Sequence, residues 1–174
     1  YSNDFDVPAN NHGESDLWVI KIKANGDIVW SKLYGGSNQE NRGKTIQTSD
    51  NGFVISGSTL SDDGDVGSNQ GGSDIWTLKI DSIGTIQWIT ARGGTDNDYS
   101  NGLVLTSDGG YLVANFSAST NGTFSQNHGG FDSWVYKLDA SGVVQWEKMY
   151  GGSDWELMNG IFQMADGNCI LLGT

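Results

Sequence analysis

The chain has 174 residues, a formal net charge of −12 at pH 7, 26 Gly, 1 Pro and 1 Cys, and Trp, Tyr and Phe supply 11% of it. An acidic surface repels phosphate backbones, so nucleic acid is excluded as a partner class. No run of about 20 apolar residues is present to insert as a membrane-spanning helix, and a lone cysteine excludes an intrachain disulfide framework or a cysteine-rich zinc site.

From the N-terminus, residues 1–14 read as a polar loop, followed by strand-like runs at Leu17–Lys23 and Asp27–Tyr34 and the pair Gly35-Gly36. A short loop, Ser37–Arg42, leads to a half-polar strand over 45–49, the turn Ser49-Asp50-Asn51-Gly52 and a strand over 52–58. A Gly/Asp/Asn loop then covers 59–73, before strands at 75–80 and 85–92 joined by Asp81-Ser82-Ile83-Gly84. Such tetrapeptides between apolar runs are hairpin turns, because Gly and Asn accept positive φ. The same succession returns over 102–150, and its first half returns again as Ile161–Asp166 and Cys169–Thr174. Cys169, inside the run Asn168-Cys169-Ile170-Leu171-Leu172, reads as a buried core thiol. The chain opens on Tyr1 rather than Met and reads as a mature fragment or a piece of a longer protein.

Behind this succession lies a period of 58 residues. It relates Trp18, Trp76 and Trp134; Trp30, Trp88 and Trp146; and the pairs Gly35-Gly36, Gly93-Gly94 and Gly151-Gly152. Asp16, Asp74 and Asp132 keep the same step, as do Asp50, Asp108 and Asp166, and the units run approximately 1–58, 59–116 and 117–174. Fixed periods of this order mark solenoids, propellers or arrays. Four short antiparallel strands make a sheet with two bare faces and two bare edges, and radial repetition covers them. The expected fold is therefore all-β, a β-propeller domain of three blade equivalents, one of them split between the termini. The alternating Trp18, Ile20 and Ile22, with their counterparts Trp76, Leu78, Ile80 and Trp134, Tyr136, Leu138, are expected to pack blade against blade.

The strings Asp-x-Trp-x-x-Lys, Gly-x-x-x-Trp, Tyr-Gly-Gly-Ser and Thr-Ser-Asp-Gly-Gly-Tyr resemble the SBBP-type β-propeller repeats of bacterial secreted and surface proteins, and repeats of Bacteroidetes exported proteins. The resemblance covers the whole chain. It implies the propeller, the strand order within each blade and a secreted or cell-surface location. Three blades fall short of the usual four to eight. Either two chains pair their split blades into a six-bladed homodimer, or further blades lie elsewhere in a longer chain.

In that strand order two sets of loops share a rim: residues 1–14, 59–73 and 117–131, and the segments after each Gly-Gly pair. The latter carry Asn38 and Glu40, then Asp96, Asp98 and Tyr99, then Asp154, Trp155 and Glu156. Carboxylates beside aromatic rings suit sugars, since rings stack on apolar sugar carbons while carboxylates accept from hydroxyls. The competing role for the same side chains is capping backbone N–H groups in a tight turn. Asp4 and Asp6, and Asp62, Asp63 and Asp65, alternate as calcium ligands do, but the third copy, Thr120-Asn121-Gly122-Thr123, has no carboxylate, so calcium is a weak candidate and no cofactor is expected. His12 and His128 correspond, yet Gln70 stands in the second copy, which speaks against a histidine metal site.

No nucleophile elbow, zincin motif or phosphate loop appears. Local carboxylate pairs such as Asp96 and Asp98 are weak evidence for a glycosidase. The expected function is a non-catalytic, lectin-like, multivalent module recognising a glycan or surface protein in adhesion. A structural spacer in a longer exported protein, or a polysaccharide-acting enzyme, are the alternatives.

Overall fold

The computed structural model of the chain describes residues 6–9, 11–122 and 127–174. Among the described residues it is all-β: β1 (Leu17–Ile22), β2 (Ile28–Tyr34), β3 (Glu40–Gln47), β4 (Phe53–Thr59), β5 (Asp74–Ile80), β6 (Ile86–Arg92), β7 (Asp98–Leu105), β8 (Tyr111–Ser117), β9 (Asp132–Leu138), β10 (Val144–Tyr150), β11 (Met158–Gln163) and β12 (Cys169–Gly173). They form four antiparallel sheets in sequence order: β1-β2, β3-β4-β5-β6, β7-β8-β9-β10 and β11-β12.

Turn chemistry explains the hairpins. Asn51 adopts φ 63°, and at the position 58 residues on, Gly109 adopts φ 82°. Both sit where a tight turn needs the left-handed region that Asn and Gly enter most readily. The preceding Asp50 and Asp108 accept from Gly52 N and Gly110 N, each at 3.1 Å. Lys79 and Lys137 reach across from β5 and β9 to these two carboxylates. Asp50 is held well below the usual carboxylate range by Lys79 and then Thr48, and Asp108 by the Thr106 hydroxyl and then Lys137.

Alternation along the strands builds three apolar layers. Trp76, Leu78, Ile80 and Ile55 pack against Tyr34, Leu17, Val19 and Trp30 of the first half-sheet. Trp134, Tyr136, Leu138 and Val113 pack against Val54, Ile75, Ile46 and Trp88 of the second sheet. Leu112, Ala114 and Val135 meet Met158, Ile161 and Leu171 of the last half-sheet. Half-sheet, sheet, sheet and half-sheet thus lie one on another, with Trp76 and Trp134 each turned toward the preceding sheet. A fully buried tryptophan removes roughly 150–250 Å2 from water, so these layers carry much of the stability. Between the second and third sheets a buried polar string also runs, Ser100 Oγ–Ser56 Oγ at 2.8 Å and Thr77 Oγ1–Tyr136 OH at 2.9 Å. Burial pushes the Tyr136 hydroxyl far above its ordinary value, so it stays a neutral hydrogen-bonding group.

Three sequence expectations need correction. The strand expected over 45–49 is β3, which starts at Glu40, because Glu40 and Asn41 pair with Thr59 and Ser58 across a bulge before Lys44. Asp98 and Tyr99 likewise open β7 instead of standing in a loop. Cys169 is exposed, since among the described residues β12 pairs only with β11 and its other edge is bare.

Candidate functional site

Each Gly-Gly pair is gripped by two carboxylates. A Cβ on Gly35 would overlap Glu40 Oε2 and Asp16 Oδ1, one on Gly93 would overlap Asp74 Oδ1 and Asp98 Oδ2, and one on Gly151 would overlap Asp132 Oδ1 and Glu156 Oε2. Only glycine leaves room there. The second glycine supplies an amide: Gly36 N donates to Glu40 Oε2 at 3.0 Å, Gly94 N to Asp98 Oδ2 at 2.9 Å and Gly152 N to Glu156 Oε2 at 2.6 Å. Glu40 also accepts from Thr59 Oγ1 at 2.7 Å, and Asp98 from Ser119 Oγ at 3.0 Å. Asp16, Asp74 and Asp132 accept through Oδ2 from the backbone N of His12, Gln70 and His128, each at 2.8 Å. Their Oδ1 atoms are buried and, among the described residues, no N–H or O–H reaches them; they fill the space that a Cβ on the glycine would need.

Burial of two carboxyls so close together has an electrostatic consequence. Desolvation, with the charge of Asp98 adding to it, pushes Asp74 up to about 6, against the hydrogen bond from Gln70 N. Burial likewise raises Asp98, opposed by hydrogen bonds from Ser117, Gly94 and Ser119.

These contacts decide where the residues singled out in the sequence stand. Glu40 and Asp98 are buried and turned inward, Glu156 is half-buried, and all three cap turn amides. Asn38, Asp96 and Asp154 are exposed. Asn38 Nδ2 donates to Leu60 O at 3.2 Å, Asp96 N to Ser119 Oγ at 3.1 Å, and Asp154 O accepts from Gly130 N at 2.9 Å. Asp63 Oδ1 accepts from Ser37 N at 2.7 Å and Asp65 Oδ2 from Gly35 N at 3.4 Å, while Asp62 is exposed. Asn121, the counterpart of Asp63, accepts from Thr95 N at 3.0 Å. An amide oxygen does the same work as the carboxylate, so this position serves as an N–H acceptor. Asp4 and Thr123 lie outside the described residues. Among the described residues no three His, Cys, Asp or Glu side chains converge as metal ligands. His128 Nδ1 is paired with Asp132 Oδ2 at 2.7 Å.

The two aromatic candidates do come together. Tyr99 lies 5.5 Å from Phe116 and 5.9 Å from Phe131, ring centre to ring centre, and Trp155 meets Phe131 edge-on at 5.2 Å. With Asn41 and Leu157 these rings line an open depression of about 520 Å3. Trp155 is 64% exposed, and it is the contiguity of its ring with Phe131, Tyr99 and Phe116 that makes an apolar patch of the kind that marks interaction sites. Asn41, Tyr99 and Leu157 are 58 residues apart, so one position from each of three units faces the same space. The period made the three positions legible as equivalents, and their convergence comes from β3, β7 and β11 lying side by side. Phe131 was not legible, because Ser15 and Ser73 occupy its place in the other copies.

No family model matches the chain, and no curated protein matches it. Among solved structures it is similar to a protein of unknown function from Bacteroides caccae, with a TM-score of 0.56 and 15% sequence identity over 92% of this chain. At that identity the likeness is one of fold alone. This chain spans 47% of the length of that one.

Proposed function

We propose that the chain is part of a β-propeller binding module, its four-stranded sheets being blades and its two half-sheets parts of others, and that it recognises a glycan or a protein surface without catalysis. The radial arrangement is supported by the first strands of successive sheets lying side by side, β3 by β7 and β7 by β11. It agrees with the resemblance to repeats of secreted and surface proteins, which points to the same location for this chain. The single observation that carries the binding function is the depression of Tyr99, Phe131 and Trp155, open to solvent and edged by Asn41. Ring faces accept the apolar face of a sugar or a flat side chain, and the Asn41 amide supplies directional hydrogen bonds at the margin. Glu40, Asp98 and Glu156 are engaged with turn amides, so they hold the scaffold that positions Tyr99 and Trp155.

A glycan array followed by titration calorimetry tests this. Trp155→Ala and Tyr99→Ala are each expected to weaken binding by about tenfold or more, equivalent to about 1.4 kcal/mol, while Asp62→Asn leaves it unchanged. A ligand whose affinity survives both aromatic substitutions would place the site elsewhere.

A further inference from the structure

The two half-sheets are bare on the sides where every interior unit is covered. On the leading side of β1, Trp18, Ile20 and Ile22 are exposed, although their counterparts Trp76, Leu78 and Ile80 are wholly buried by a preceding unit. On the trailing side of the last half-sheet, Phe162, Ile170 and Leu172 are exposed. Their counterparts include Ile46, Val54 and Leu112, which lie packed against a following unit.

Hydrogen bonds repeat the pattern. Trp30 Nε1 donates to Ser82 O of the next unit at 3.1 Å, and Trp88 Nε1 to Ala140 O at 3.2 Å. Tyr34 OH donates to Gly84 O at 2.7 Å. In the third unit the matching Trp146 and Tyr150 are exposed instead. By the same 58-residue step, the groups they lack are Ala24 O and Gly26 O, which the first half-sheet carries.

We propose that a second copy of this chain supplies both missing neighbours, β12 of each copy pairing with β1 of the other. The register follows from the complete sheets, where Phe53 faces Ile80, Ile55 faces Leu78 and Gly57 faces Trp76. Carried to the ends, Cys169 faces Ile22 of the second copy, Leu171 faces Ile20 and Gly173 faces Trp18. Each junction makes a four-stranded sheet in the order β11-β12-β1-β2, matching the interior order β3-β4-β5-β6. Two junctions related by a two-fold axis satisfy both ends of both chains, as closed symmetry requires. They also bring a second Asn41, Tyr99 and Leu157 to the open side of the aromatic depression, so the site is incomplete in one chain.

The inference rests on the radial arrangement proposed above, but its test is separable from ligand binding. Because Cys169 is the single cysteine, Ile22→Cys creates one new thiol opposite it. Directly opposed residues have Cβ atoms about 4.5–5.5 Å apart, close to disulfide reach. Lys21→Cys puts its thiol on the other face of the strand. Light scattering on the unaltered chain is expected to give twice the 18.7 kDa chain mass. Mild oxidation is expected to cross-link Ile22→Cys into a covalent dimer and leave Lys21→Cys uncross-linked. Leu172→Lys, which puts a charge on the trailing face, is expected to give a monomer with unchanged circular dichroism. A monomeric unaltered chain, an open ladder of higher masses, a dimer that Leu172→Lys leaves intact, or equal cross-linking of the two cysteine variants would each overturn the proposal. A dimer that binds no ligand leaves it standing and removes the binding function; a monomer whose ligand is lost in Trp155→Ala does the reverse.

Discussion

The two interior sheets and the two terminal half-sheets are written in the same sequence and meet different fates. Trp76 and Trp134 are 0% exposed, whereas Trp18, at the same position of the same motif, is 46% exposed. Leu172 is 67% exposed, while its counterparts Ser56 and Ala114 are buried. At the Trp position the residue and its alternating neighbours are alike in all three copies. What differs is whether another sheet lies on the face, so burial belongs to the stack and not to the motif.

Substitution at equivalent positions breaks that comparison open. Trp134→Ala is expected to cost about 3–5 kcal/mol in denaturant unfolding, the range for removing a buried aromatic. Trp18→Ala is expected to cost less than about 1 kcal/mol in the isolated chain, as exposed substitutions do. A large Trp18 effect that grows with protein concentration would mean the end is covered by a second copy.

Acid titration sharpens the same contrast at the Gly-Gly clamps. Asp74, raised to about 6 from its model-compound 3.8, binds a proton more readily folded than unfolded. Stability from this group is therefore greatest below the unfolded value and is lost as pH rises through about 6, by roughly 3 kcal/mol in the limit of full burial. Asp74→Asn, which keeps an oxygen for Gln70 N, is expected to flatten the slope between about pH 4 and 6. Asp50 and Asp108 act in the opposite sense, because their lysine-paired carboxylates are lowered. Their contribution is present above the ordinary carboxylate range and disappears in stronger acid. A slope between pH 4 and 6 that Asp74→Asn leaves unchanged would show that the Asp74 carboxyl is not raised.

The smallest effect separates Gly102 from Gly160, one period apart. A Cβ on Gly102 would stand 2.9 Å from Ile161 Cγ2 and 3.1 Å from Ala114 Cβ, while one on Gly160 meets nothing within 4 Å. Gly102→Ala is expected to destabilise by about 1–3 kcal/mol through overpacking. Gly160→Ala is expected to be neutral or to stabilise by up to about 1 kcal/mol, since it reduces unfolded-chain entropy. Thermal melts of the two variants side by side would reveal any cover over Gly160, because both would then destabilise.

The candidate site was only partly legible. Asp98 and Glu40 read as rim ligand candidates with amide capping as the competing role, and in the structure they accept from Gly94 N and Gly36 N. Tyr99 and Trp155 stood out as aromatics beside acidic turns. That they share one wall depends on Phe131, a single departure from the repeat.

By itself the sequence determined the strands, their turns and the 58-residue period, because alternation, Asn/Gly turn chemistry and the Asp-Lys pairs act within about 30 residues of chain. Only the tertiary structure decided which copies of Trp, Leu and Cys are buried, that β3 and β7 start early on Glu40 and Asp98, and that four rings line one depression. Those outcomes depend on which sheet lies against which, and identical motifs carry no record of their neighbours.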